Sequence, residues 1–327
     1  MIAGHDKAVE QFRKAWDSRV LHHAWLLAGP RGVGKAHFAR AASVRLLSDA
    51  AGPRSGEPGL GTPGDHPMAR LIAAGSHPDM RWLQRLENEK SGNLARNITV
   101  DQVRALGTFI GLTPSLSDWR VVVIDSVDDM ERSAANALLK MLEEPPPNCI
   151  FLLISHAPGR LVPTIRSRCR RLEFHALGDD AMASVLEQQL PETSAADRVK
   201  LIPLAGGSVG RALAFDSLDL APLEESALQI LRSGDPDNSR RSALASQLAR
   251  KTAADRYSAF LDLLPSLVAQ EARQLAQPRQ ERALEAYERV RELTALAPRL
   301  SLDPAATMFQ LGGYLASVAA APSLKGG

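Results

Sequence analysis

The chain of 327 residues has only two cysteines, Cys149 and Cys169. Each lies beside an apolar segment, which speaks against a disulfide framework or a cysteine-built metal site and for reduced core thiols. Neither sign of charge is in excess: 39 Lys and Arg stand against 37 Asp and Glu, a formal net charge of +2. No global field therefore draws the chain to nucleic acid or to a membrane, and any basic surface is local. No apolar run approaches the roughly 20 residues of a membrane span. The N-terminus, Met1-Ile2-Ala3-Gly4-His5-Asp6-Lys7, has no signal-peptide core. A cytoplasmic protein without a membrane partner is expected, and its length suffices for two or three domains with their own cores.

What the chain does contain is Gly29-Pro30-Arg31-Gly32-Val33-Gly34-Lys35-Ala36. This is the phosphate-binding pattern G-x-x-x-x-G-K-[ST], complete except at its last position. Glycines let backbone N–H groups turn inward on phosphate oxygens, the lysine reaches the terminal phosphates, and the final hydroxyl holds Mg²⁺. Ala36 removes that hydroxyl. The flanks are those the loop needs, a buried strand at Ala24–Ala28 and a helix from Ala36 to Leu47. The bland alternative, a tight turn with a stray lysine, leaves this register of strand, loop, lysine and helix unexplained.

Further strands are predicted at Met80–Leu83, Val121–Ile124, Ile150–Ile154 and Arg171–Phe174, the last alternating like an edge strand. Between them, Thr99-Val100-Asp101-Gln102 has the form of a capping box, and Ala135, Leu138, Leu139 and Leu142 form a helical stripe that stops at Pro145-Pro146-Pro147. The all-apolar third strand ends in Asp125, near the phosphate loop if the sheet is parallel. Residues 52–67, with nine Gly or Pro, predict a flexible surface insertion. Beyond residue 176 only helical patterns remain, including one over Ala253–Ala276 with a break at Pro265. The fold class that follows is α/β over residues 1–175, with a parallel five-stranded sheet. A small helical lid over 176–219, an all-α domain over 220–322 and a disordered tail at 323–327 complete it.

Turnover of ATP needs a metal ligand, a group to activate water, a polar contact to the γ-phosphate and a cation for the developing charge. Asp125 stands where it can bind Mg²⁺ or its water, but the next residue, where a general base belongs, is Ser126. A serine takes no proton from water at neutral pH, and loss of a general base costs roughly 10² to 10⁴ in rate. Asp128 and Asp129 are displaced along the chain.

Asp125-Ser126-Val127-Asp128, the helix Asn136-Ala137-Leu138-Leu139-Lys140-Met141-Leu142-Glu143-Glu144-Pro145-Pro146, and Ile165-Arg166-Ser167-Arg168-Cys169 together resemble the AAA+ subunits of bacterial clamp loaders. His22-His23-Ala24 and His77-Pro78-Asp79 fit the same family, and the likeness is strongest from about Val20 to Phe174. The resemblance implies an AAA+ RecA-like domain, a lid and an oligomerisation collar. It implies a hetero-oligomer with gamma/tau motor subunits and a delta subunit that places a sliding clamp on primed DNA. It identifies Arg168 as an arginine finger offered to a neighbour's ATP. The motor subunits' loop hydroxyl, base and lid arginine fall here on Ala36, Ser126 and Gly210, and their polar sensor on Ser155 or His156. A non-catalytic subunit is therefore expected, with Gly29, Gly32, Gly34, Lys35 and Asp125 as a vestigial or weak site for ATP or ADP. The alternative is an active gamma/tau-like ATPase, and a small-molecule kinase gives no reason for the Ser167-Arg168-Cys169 triplet. Relatives commonly carry four zinc-binding cysteines after the first βα unit; the insertion here has none, and His66 with His77 does not make a four-ligand site. No zinc is expected.

Overall fold

A computed structural model describes residues 2–87 and 94–319, so the expected tail at 323–327 lies outside the described residues. The chain divides into two compact units, Met1–Ala181 and Met182–Gly327.

The first unit holds helix α1 (Asp6–Asp17), strand β1 (Ala24–Ala28), α2 (Lys35–Ala51), α3 (Pro67–Ala73), β2 (Met80–Gln84), α4 (Val100–Gly111), β3 (Arg120–Asp125), α5 (Arg132–Glu143), β4 (Cys149–Ser155), α6 (Pro163–Ser167) and β5 (Arg170–Glu173). The strands form one parallel sheet in the order β2-β3-β4-β1-β5, the five-stranded parallel α/β sheet that the sequence predicts. As the alternating pattern predicts, β5 is an edge strand.

Side chains alternate between the two faces of this sheet. Trp25, Leu27, Val121, Val123, Ile150, Leu152 and Leu172 pack with α1, α2 and α3 on one side. Leu26, Val122, Ile124, Phe151 and Leu153 pack with α4, α5 and α6 on the other. Burial on both faces explains why the central strands are continuously apolar. The capping box forms as expected: the Thr99 hydroxyl accepts from the Gln102 N–H, and the Gln102 side chain accepts from the Thr99 N–H. The inward stripe of α5 is Ala134, Leu138 and Leu142 at four-residue spacing, with Ala135 and Leu139 only half-buried beside it. The two cysteines are free, Cys149 buried and Cys169 half-buried, and burial pushes both thiols up to about 12.

Residues 52–66 have no helix or strand, yet they are not the loose insertion expected. The buried Arg45 guanidinium donates to the carbonyl oxygens of Ser55 (2.5 Å), Glu57 (3.0 Å) and Gly61 (2.9 Å) and to Asp49 (2.8 Å). Asp49 in turn accepts from the Ser55 N–H and the Trp16 indole, and Leu60 is buried in the core. A second carboxylate is used in the same way: Asp79, 1% exposed, accepts three successive N–H groups, from Ser115, Leu116 and Ser117.

From there the chain is helical: α7 (Asp179–Gln189), α8 (Ala195–Ala205), α9 (Val209–Ser217), α10 (Ala221–Ser233), α11 (Ser239–Leu248), α12 (Ala254–Ala272), α13 (Arg279–Leu300) and α14 (Pro304–Ala316). One apolar core joins α8 to α14, drawing on Leu223, Phe260, Leu264, Val290 and Leu311 among others. The expected break at Pro265 does not occur. A proline inside a helix forfeits a hydrogen bond and costs about 3 kcal/mol. Around it, Phe260, Leu261, Leu263, Leu264, Leu267 and Val268 are all buried, and their burial outweighs that cost. Asp303 caps α14 with its side chain accepting from the Ala306 N–H, followed by Pro304 in the first turn, where a missing N–H costs nothing.

Candidate functional site

The glycine-rich loop lies between β1 and α2, at the carboxyl end of a central strand. Its backbone needs the glycines. Gly32 and Gly34 have φ of 75° and 105°, and Gly29 has 156°. A Cβ on Gly29 would also stand 2.0 Å from the Phe174 carbonyl oxygen. Helix α2 starts on Gly34, so the free N–H groups and positive end of its first turn open onto the loop.

Lys35 is 3% exposed, and its ammonium donates to the carbonyl oxygens of Gly29 (2.7 Å) and Pro30. Burial lowers it to about 8, against the opposing pull of Asp125 and Asp128. Asp125 ends β3 and faces the same lysine: burial raises its carboxyl, while Lys35 and Arg31 hold it back. A residue missed in the sequence completes the loop's support. The buried His5 imidazole donates from Nε2 to the Val33 carbonyl (2.7 Å) and meets the Phe174 ring edge-on. No spacing rule links His5 to a loop 28 residues later.

The acids after β3 are committed elsewhere. Asp128 accepts from the Ser155 hydroxyl (3.0 Å) and from the N–H groups of His156 (2.6 Å) and Ala157 (3.2 Å). Asp129 accepts from the Ser126 hydroxyl (3.2 Å) and pairs with Arg85 (3.4 Å). Both carboxylates are thus bonded within the fold. Of the two sensor candidates, Ser155 is fully buried with its hydroxyl on Asp128, while His156 keeps a buried Nδ1 with no partner. Burial, then Lys35 and Arg31, lower the His156 imidazole to about 4, so it is neutral at pH 7. The Gly29 N–H donates to the Ser155 carbonyl, which places His156 beside the loop.

Mg²⁺ would find one carboxylate here, Asp125, and a methyl group at Ala36 where a hydroxyl ligand belongs. The residues present do not fit a firmly held ion. Among the described residues no group of three or more His, Cys, Asp or Glu could hold a metal. His66 instead caps α3, accepting from the Met68 N–H, and His77 accepts from the Asp79 N–H.

The structure thus brings together Gly29, Gly32, Gly34, Lys35 and Asp125 but sets Arg168 apart. In the parallel register Arg170 pairs with Trp25, whereas Phe174 reaches the end of β1 by donating to Ala28. At about 3.3 Å per residue, Arg170 is already on the order of 13 Å from the loop's end of the sheet, and Arg168 precedes it. Its guanidinium pairs with Glu143 (2.7 Å) and donates to the Thr164 carbonyl (3.0 Å). The neighbouring arginines are separately engaged, Arg170 over the Trp25 ring and Arg171 with Glu173. In the second unit Arg211, next to Gly210, donates to the Ser266 hydroxyl (2.9 Å).

The family described as DNA polymerase III, delta subunit, matches residues 4–178. The DNA polymerase III subunit delta' of Pseudomonas aeruginosa is 40% identical over 57% of this chain and 53% of its own length. The subunit tau of Bacillus subtilis is 29% identical over 55% of this chain and 30% of its own. The match therefore spans about half of the first relative and less of the second. Among solved structures, a DNA polymerase III gamma subunit-related protein from Thermotoga maritima aligns over 94% of this chain and 98% of its own. Its identity is 16% and its TM-score 0.47. No helix among the described residues is long and apolar enough to cross a membrane.

Proposed function

This chain belongs to the DNA polymerase III delta-subunit family, and we propose that it is a delta-prime-type clamp-loader subunit. On this reading it does not turn over ATP itself and supplies Arg168 to the ATP site of a neighbouring subunit. The observation that carries the reading is the commitment of the spare carboxylates. Asp128 and Asp129 are engaged by backbone, hydroxyl and guanidinium donors, so neither carboxylate stands free beside Lys35 and Asp125 to activate water. Arg168, at the opposite end of β5, cannot serve the loop of its own chain, which agrees with action in trans.

The gamma/tau motor subunits and a delta subunit are the partners in this proposal, joined through a collar formed by residues 220–322, with residues 176–219 as a lid. The assembly loads a sliding clamp on primed DNA. ATP or ADP is held at Lys35 and the three loop glycines without turnover.

The competing reading, an ATPase of the tau kind, is favoured by the 29% identity to tau over 55% of this chain. Phosphate release by the isolated chain with Mg²⁺ and ATP separates the two: no turnover is expected, and steady hydrolysis would favour the motor. In the reconstituted assembly, Arg168→Ala is expected to cut stimulated hydrolysis steeply with assembly intact. An arginine finger is worth about 10³ to 10⁵ in GTPase systems. Unchanged hydrolysis would reduce the chain to a scaffold.

A further inference from the structure

We propose that Glu143 is the resting partner of Arg168, a carboxylate that holds the guanidinium against its own chain until a nucleotide phosphate of a neighbouring subunit displaces it. The inference rests on the reading of Arg168 as a finger in trans.

Glu143 is the last residue of α5, where the helix presents its partial negative charge, and Glu144 follows it. Two carboxylates at a helix C-terminus are unfavourable alone, and a cation there relieves them. Lys140 in the last turn is one such cation, and Arg168 is the one that pairs directly with Glu143. Its Nη2 lies 2.7 Å from Glu143 Oε1, and its Nη1 donates to the Thr164 carbonyl at 3.0 Å. Both terminal nitrogens, the pair a guanidinium uses to fork onto phosphate oxygens, are therefore turned toward its own chain, each with one N–H bonded there. A side chain already aimed at a partner would keep them free.

The hold is light. The side chains of Arg168 and Glu143 are 33% and 49% exposed, so water screens the pair. A triphosphate carries several charges where Glu143 carries one, and it offers the same two-oxygen geometry. Exchange of one for the other is thus favourable once the subunits bring a phosphate into reach, and unfavourable before. Glu143 suppresses hydrolysis in the loosely arranged assembly without hindering the closed one.

The test is ATP hydrolysis by the reconstituted assembly, with and without clamp and primed DNA, using this chain, Glu143→Gln, Arg168→Ala and the double variant. Glu143→Gln is expected to raise unstimulated turnover about two- to fivefold, the range an exposed ion pair supports, and to leave stimulated turnover unchanged. The double variant is expected to match Arg168→Ala. Unstimulated turnover that stays level or falls in Glu143→Gln, while Arg168→Ala still slows the assembly, overturns the inference alone. A rise that persists without Arg168 overturns it as well, since Glu143 would then act by another route. Arg168→Ala without effect removes the finger reading and this inference with it.

Discussion

Two glycine-rich stretches, 29–34 and 52–64, follow one another in the first unit, and each is gathered by one buried cation that collects backbone carbonyls. Lys35 takes the oxygens of Gly29 and Pro30; Arg45 takes those of Ser55, Glu57 and Gly61. The difference is the anion. Arg45 has Asp49 at 2.8 Å, with side-chain exposures of 6% and 0%, and its charge is settled inside the fold. Among the described residues no carboxylate lies within ion-pair distance of Lys35, and burial depresses it to about 8. The same composition gives a closed clamp in one place and, in the other, a cation still short of a counter-charge. That shortage is the physical ground for an anionic ligand at the loop.

The comparison breaks hardest at the clamp. Asp49→Ala leaves a buried guanidinium unpaired, and urea denaturation is expected to show a loss of about 3–5 kcal/mol, with new proteolytic cleavage between residues 52 and 66. Unchanged cleavage would mean that the clamp does not hold the segment. Gly29→Ala comes next. The Phe174 carbonyl at 2.0 Å and the φ of 156° leave no room for a Cβ, for an expected cost of about 2–3 kcal/mol.

A pH series sharpens the other side. Folded Lys35 releases its proton near 8 and the unfolded chain near 10.5, so between these values the unfolded state binds more protons and stability rises with pH. The slope is up to about 1.4 kcal/mol per unit, and it should vanish in Lys35→Met. The same substitution should weaken tripolyphosphate binding, read by calorimetry, at least about tenfold if the loop takes an anion. His156 repeats the effect in acid: stability should rise between about pH 4 and 6.5, as the unfolded imidazole loses the proton its folded form already lacks. Substitution to Gln should flatten that rise.

The sheet and the loop were legible in the sequence because each obeys a local rule: four consecutive apolar residues closed by Asp125, and glycines at fixed offsets from Lys35. The Arg45 clamp and the Asp79 anchor were not. Their partners are backbone carbonyls and N–H groups, which every residue carries, so no residue type marks them. The 52–66 segment read as loose for the same reason: glycine and proline report what a backbone can do, not what is bonded to it. Pro265 misled in the opposite direction, since helix propensity is local and the packing that overrode it is not. Asp128 and Asp129 could be placed near the site but not assigned, because their engagement depends on the turn after β3 and on the start of the segment after β4.

The sheet order also governs synthesis. Strand β1, Ala24–Ala28, is flanked by β4 and β5, which begin at Cys149 and Arg170. The first strand to leave the ribosome thus has neither neighbour until well over a hundred residues more are made, about 6–25 s at ordinary elongation rates. Throughout that interval Trp25, Leu26 and Leu27, all buried in the finished fold, have no sheet to enter. The growing chain carries an unpaired apolar strand for most of the time its first unit takes to be translated.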